Sequence, residues 1–165
     1  KFLENLILSL NDIKHINTIR IHTRLPVVIP NRINPGLISW AKKCRKKLVF
    51  VFHVNHPNEI NDEVREYISK IKLSNTVLLN QSVLLKGVNN RSKVLASLSE
   101  KLFEAGVLPY YLHLLDPIKG TSHFFVSASE GMKIIEDLKG HLPGYLVPRL
   151  AQEIPGLDSK KTFFC

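Results

Sequence analysis

Cysteine is nearly missing from the 165 residues: Cys44 and Cys165 are the two present, and they lie far apart. Such a pair offers neither a disulfide framework nor a cysteine-based metal motif. A reducing cytoplasm is the simplest compartment. Long apolar runs are lacking as well. None approaches the ~20 residues needed to cross a bilayer, and no signal peptide is visible. Neither a Walker loop nor a Gly-x-Gly-x-x-Gly fingerprint occurs. The chain opens at Lys1 without methionine, already inside an amphipathic pattern, so its start is expected to lie upstream. Acidic residues are few, 14 against 23 lysines and arginines, for a formal net charge of +9. That excess admits acidic partners, nucleic acid included. The densest basic run, Lys42 to Lys47 around Cys44, reads as the cationic end of a helix, where it complements the dipole.

What is present is a regular alternation. Phe2, Leu3, Leu6, Ile7, Leu10 and Ile13 recur at the 3.6-residue period of a helix. A strand is expected over 18–23. Asn34-Pro35 reads as N-cap and first helical residue, with Leu37, Ile38, Ala41 and Cys44 continuing the face. Leu48–Val54 is a buried strand by its β-branched and aromatic content. Val64, Tyr67, Ile68 and Ile71 form the next helical stripe, and 76–79 the next strand. Val94, Leu95, Leu98, Leu102 and Phe103 give a helix stopped by Gly106, followed by a strand over 107–114. Ser127 to Glu130 forms a capping box that opens a helix through Leu138. The last strand candidate is 144–150. Strand–helix succession predicts an α/β fold with a parallel sheet, flat or curled into a barrel. No linker divides residues 1–165.

In such sheets ligands bind at the C-terminal strand ends, and the polar residues gather there. The five ends carry His22-Thr23-Arg24, then His53-Val54-Asn55-His56, Asn80-Gln81-Ser82, His113 to Asp116, and Arg149, Gln152 and Glu153. Each end alone is as readily structural as functional; five together predict a concave site. His53-x-x-His56 offers two imidazoles to a metal, but no third ligand is obvious. The stretch 155–161, with one glycine, reads by itself as a surface turn.

These same rim segments carry a resemblance. Arg20 to Ile33 (RIHTRLPVVIPNRI), His53 to Ile60 (HVNHPNEI), Asn80 to Asn89 (NQSVLLKGVN), Pro109 to Asp116 (PYYLHLLD) and Gly144 to Pro148 (GYLVP) resemble, in order, blocks of the radical S-adenosylmethionine (SAM) lysine 2,3-aminomutases. The likeness covers roughly 17–161. It implies the C-terminal part of a partial (β/α) barrel of the radical SAM type, followed by a pyridoxal-phosphate-binding segment. It also implies SAM, a [4Fe–4S] cluster and pyridoxal phosphate as cofactors. In the family a 5′-deoxyadenosyl radical takes hydrogen from C3 of L-lysine, and the nitrogen moves from C2 to C3.

By this resemblance Lys160 matches the lysine that holds pyridoxal phosphate as a Schiff base, with Lys161 as the neighbouring alternative. Asp116 and Glu153 match the carboxylates that pair with the substrate ε-ammonium. His53 and Gln81 match SAM-binding positions, and Arg20 does so more weakly. Arg24 and Arg32 are further candidates for phosphate or carboxylate groups. The Cys-x-x-x-Cys-x-x-Cys motif of the cluster is absent, so the chain by itself is expected to be inert as a radical enzyme. Arg91 stands where free-lysine enzymes place a zinc cysteine, and Glu153 where they place Asp. Both resemble the branch that makes (R)-β-lysine for elongation factor P, where a separate ligase attaches it. A catabolic or osmolyte-forming aminomutase is the alternative within the family. Glutamate 2,3-aminomutase is disfavoured, because Asp116 and Glu153 would repel a substrate γ-carboxylate. A basic nucleic-acid-binding module is the alternative of another class. The aromatic residues argue against it, since they fall mostly in strands or on helix core faces rather than on a stacking surface.

Overall fold

The computed structural model describes residues 2–163; Cys165 lies outside them. A six-stranded sheet runs in chain order, β1 (Thr18–Thr23), β2 (Lys47–His53), β3 (Thr76–Leu84), β4 (Leu108–Leu114), β5 (Arg149–Gln152) and β6 (Lys161–Thr162). The first five are mutually parallel and β6 is antiparallel to β5. Sequential parallel neighbours joined by helical crossovers are the expected βαβ succession, and the right-handed rule puts the crossovers on one face. The crossover helices are α3 (Pro35–Lys43), α4 (Asp62–Ser69), α5 (Ser92–Glu104) and α6 (Ala128–Lys139); α1 (Phe2–Ser9) precedes the sheet and α2 (Leu25–Val28) follows β1. Among the described residues no helix is long and apolar enough to cross a membrane.

Alternation along each strand divides the sheet into two faces. Leu48, Phe50 and Phe52 of β2, Leu78 and Leu84 of β3, Leu112 and Leu114 of β4 and Leu150 of β5 are buried against the helices. Each fully buried side chain of this size contributes about 1.5–3 kcal/mol relative to exposure. The intervening residues, among them Arg20, His22, His53, Gln81, Tyr111, His113 and Arg149, face the other way. Both N-caps form, but the Ser127 to Glu130 capping box is only half made, since Glu130 Oε1 accepts from Asn90 Nδ2 at 3.4 Å. Asn34 Oδ1 accepts from Leu37 N–H at 3.0 Å, and Ser127 Oγ from Glu130 N–H at 3.2 Å. Gly106 takes a left-handed φ of 79° just past α5.

Several expectations are corrected. The segment 144–150 is not one strand: Gly144–Leu146 is a 3-10 turn and β5 begins at Arg149. Pro148 lacks the N–H that a ladder needs, so pairing starts only beyond it. The third strand does not end at residue 79 but runs to Leu84. Its polar residues Asn80 and Ser82 are buried within it. The first helix stops at Ser9, and of its apolar stripe Ile7 is buried while Phe2 is 83% exposed. The basic run is shared out, with Lys42 and Lys43 ending α3 and Lys47 starting β2. Phe103 leaves its helical stripe and stands exposed, its ring centroid 5.5 Å from that of Tyr145.

Candidate functional site

The C-terminal strand ends are fastened by asparagines. Asn80 Oδ1 accepts from Val54 N–H at 2.9 Å while its Nδ2 donates to Val54 O and to Ser82 Oγ. Ser82 Oγ donates to Val54 O at 2.7 Å. Asn55 Oδ1 accepts from Val83 N–H. Asn89, fully buried, accepts from Leu85 N–H and donates to Asn55 O and Val83 O. In a dry strand end every one of these polar groups needs its partner. The consequence is a fixed β2–β3 margin from which His53 and Gln81 project together. Glu59 secures the next turn. Its Oε1 accepts from Asn55 and His56 N–H, and its Oε2 pairs with Arg24 at 2.6 Å.

The cavity so framed, of about 260 Å³, is lined by His53, Gln81, His113, Asp116, Ile118 and Glu153, with Ser82, Val83, Leu114 and Leu115 completing the wall. Gln81 Nε2 lies 2.8 Å from His53 Nε2. The His22 ring meets His53 edge-on, with centroids 6.2 Å apart. A second hollow of about 340 Å³ shares Glu153 with it and is lined by the loop from Glu153 to Lys160. Lys160 Nζ is ion-paired with the Glu153 carboxylate and stands 5.9 Å from the Tyr111 ring centroid. Lys161, opposite Gln152 in the ladder, points instead to Phe163. A further hollow of about 410 Å³ is lined by Ile135 and Lys139 of α6 with Leu142, Val147, Arg149 and Phe163, and shares no residue with this cavity.

The electrostatics favour uncharged imidazoles. Burial holds the His113 pKa down, with the Lys160 charge adding to it and Glu153 and Asp116 opposing. His53 is lowered by burial, then by His22 and Arg24. His22 is lowered by burial, then by Arg20 and Lys160. The Glu153 carboxyl is held below its ordinary range by the hydrogen bond and charge of Lys160. The site thus joins neutral imidazole and amide groups at one end to two carboxylates and a primary amine at the other.

Of the residues singled out in the sequence, His53, Gln81, Asp116 and Glu153 line one cavity, and Lys160 reaches it through Glu153. Arg20 stands on the same face, exposed, outside the cavity lining. His56 is not beside His53 as a second ligand: its Nδ1 accepts from Asn58 N–H and caps the 3-10 turn Pro57–Glu59. Arg24 is occupied by Glu59. Arg32 lies in a groove with Leu37 and Trp40, away from the cavity. His113 was named at the fourth strand end without a role, and Tyr111 was not picked out as a site residue. Their signal was alternation with the buried Leu112 and Leu114, which puts them on the polar face.

The fold has a counterpart in a radical SAM methyltransferase from Sphaerobacter thermophilus, with a TM-score of 0.52 at 15% identity over 81% of this chain and 40% of that one. The sheet and its helices thus have the fold of part of that β/α protein. In sequence the chain is 49% identical to the L-lysine 2,3-aminomutase of Haemophilus influenzae over 96% of its own length and 47% of that protein's. It is 46% identical to that of Escherichia coli over 96% and 46%, and 41% to that of Clostridium subterminale over 96% and 38%. Over nearly all of its length the chain is thus similar to the L-lysine 2,3-aminomutases, and it spans about half the length of the curated relatives it matches. No family model matches it.

Proposed function

We propose that this site binds L-lysine for conversion to (R)-β-lysine in the cytoplasm, as part of an aminomutase that serves the modification of elongation factor P. The reaction exchanges the amino group at C2 with a hydrogen at C3, leaving composition and net oxidation state unchanged. The observation that carries the reading is the meeting of Asp116 and Glu153 in one cavity with Lys160 beside them. Two carboxylates give an alkylammonium opposite charges and hydrogen-bond acceptors at one place.

The residues fit two of the family's three cofactors. Lys160 is a primary amine, the group that forms an imine with a carbonyl cofactor such as pyridoxal phosphate; its pairing with Glu153 holds it as the ammonium, so it gives up a proton before it reacts. His53 and Gln81, with Arg20 flanking, present neutral donors and acceptors suited to SAM. When bound, these groups supply the imine-forming aldehyde and the radical that abstracts hydrogen. The protein's own part is to seat the ammonium on Asp116 and Glu153 and to keep the neighbouring imidazoles uncharged. The [4Fe–4S] cluster does not fit the described residues. Cys44 is buried behind β2, its Sγ 3.7 Å from Lys46 O, and no set of thiolates surrounds it. No step through the cluster is derived from these residues.

Two features support the elongation factor P branch over a catabolic enzyme: Glu153 in place of Asp, and Arg91, which starts α5, in place of a zinc cysteine. The test is chiral analysis of the product made from L-lysine by the protein at full length. Asp116→Asn and Glu153→Gln should each lower kcat/KM about ten- to hundredfold, the scale of a lost charged hydrogen bond. No β-lysine from the wild type would end this reading. Stoichiometric zinc would move the protein to the catabolic branch.

A further inference from the structure

Past the end of their ladder, the first two strands are joined by side chains. The β1–β2 register closes with Thr23 opposite Phe52, whereas His53, the next residue of β2, stands opposite Gln81 of β3. On its β1 side His53 therefore has no ladder partner. It meets the His22 ring instead, edge-on, with centroids 6.2 Å apart. Just beyond both histidines Arg24 and Glu59, 35 positions apart in the chain, form an ion pair at 2.6 Å.

Glu59 carries more than that pair. Its Oε1 accepts from Asn55 N–H at 2.8 Å and from His56 N–H at 2.9 Å. Asn55 continues the chain of bonds toward β3, since its Oδ1 accepts from Val83 N–H and its carbonyl accepts from Asn89 Nδ2. One carboxylate thus connects the end of β1, through the backbone that follows His53, to β3. A cap for the 3-10 turn Pro57–Glu59 would need the His56 N–H alone. The bonds to Asn55 and Arg24 go beyond that task. Three donors converge on two oxygens, which a carboxylate satisfies and an amide does not. A glutamine at this position could still accept from both N–H groups, but its Nε2 would face the guanidinium donor to donor.

We propose that Glu59 is a positioning residue: with Arg24 it fixes the ends of β1 and β2 so that His53, flanked by His22, meets Gln81 in the arrangement that receives SAM. The SAM end of this statement rests on the function proposed above; the link itself rests on the hydrogen bonds.

The test uses the protein at full length. SAM is titrated by calorimetry with the cluster in place and no reductant, and the imidazole resonances of His22 and His53 are followed by NMR in cluster-free protein. Glu59→Gln and Arg24→Met should each weaken SAM about two- to fivefold, the scale of a partly exposed ion pair, and should shift both imidazoles. The two changes together should weaken SAM no further than either alone, because they break one link. Arg24→Lys, which keeps the charge without the fork, should restore part of the affinity. In a His53→Gln background Glu59→Gln should have no further effect, because Glu59 acts through that ring. Where His53→Gln weakens SAM and Glu59→Gln does not, the proposal is overturned and Glu59 is left a turn cap. An undiminished effect of Glu59→Gln in the His53→Gln background overturns it as well. If His53→Gln itself binds SAM as the wild type does, the SAM reading of His53 fails, and the imidazole shifts decide on the link alone. Should Glu59→Gln unfold, Arg24→Met, at a side chain half exposed to solvent, reads the same link.

Discussion

Lys160 donates its ammonium to the carboxylate of Glu153, seven residues earlier in the chain. The loop between them doubles back because β6 pairs antiparallel with β5, Gln152 opposite Lys161 and Ala151 opposite Thr162. Gly156, at φ 86°, makes the reversal without the cost of a Cβ in the left-handed region. A two-residue strand thereby sets which of two adjacent lysines faces the site.

That placement predicts the outcome of chemical trapping. Pyridoxal phosphate bound to the protein at full length and reduced with borohydride should label Lys160, as peptide mapping will show. Lys161 follows the opposite strand face, toward Phe163, and should remain unlabelled. Label on Lys161 would reverse the assignment, and label on neither would remove pyridoxal phosphate from this loop.

The depressed imidazoles make stability depend on pH in a definite direction. His22, His53 and His113 all have folded-state values below the ordinary 6.5. As pH falls through that ordinary value, the unfolded chain takes up protons that the folded chain refuses, so unfolding is favoured. Urea unfolding at pH 7.5, 6.5 and 5.5 should give progressively lower stability, and His113→Gln should flatten part of the slope. Stability that is constant or rising on acidification over this range would contradict the arrangement. Each imidazole's own titration can be followed by NMR.

The alternation of helix and strand was legible from hydrophobic period and apolar runs. The gathering of polar residues at one edge followed from strand order, because parallel strands deliver their C-terminal ends there; His53, Gln81, Asp116 and Glu153 were singled out among them by the resemblance. The division of labour among neighbouring polar residues was not legible. Asn80 and Gln81 are adjacent, yet one clamps the Val54 backbone and the other faces the cavity. His53 and His56 look alike in sequence, but the second turns to cap its own 3-10 turn. β6 is too short to leave a periodic signal, and it exists through tertiary pairing with β5.

Asn89 is the clearest structural dependency of the site. Its side chain makes three hydrogen bonds that join the 85–89 turn to Asn55 and Val83. Asn89→Ala leaves those backbone groups without partners and should cost about 2–3 kcal/mol. The loss should appear in urea unfolding, together with a shifted His53 resonance as the β2–β3 margin loosens. A loss under about 0.5 kcal/mol, the range of ordinary surface changes, would show that water replaces the side chain.

The Lys160–Glu153 pair also bears on how lysine enters. Lys160 presents the same alkylammonium as the substrate's distal end, and in this structure it occupies the carboxylate proposed to receive that end. Substrate and side chain therefore compete, and each added positive charge also repels the other. The pair is partly open to solvent, with the Lys160 side chain 33% and the Glu153 side chain 61% exposed. Competition should accordingly be modest, on the scale of an exposed ion pair. Cofactor-free Lys160→Met, which keeps an unbranched chain of similar reach without the charge, should bind L-lysine about two- to fivefold more tightly than cofactor-free wild type. Glu153→Gln in the Lys160→Met background should erase that gain, since the gain passes through this carboxylate. Calorimetry on the four proteins of the cycle measures the coupling directly. Equal lysine affinity in wild type and Lys160→Met would mean that Glu153 does not receive the substrate ammonium, and the carboxylate assignment would then rest on Asp116 alone.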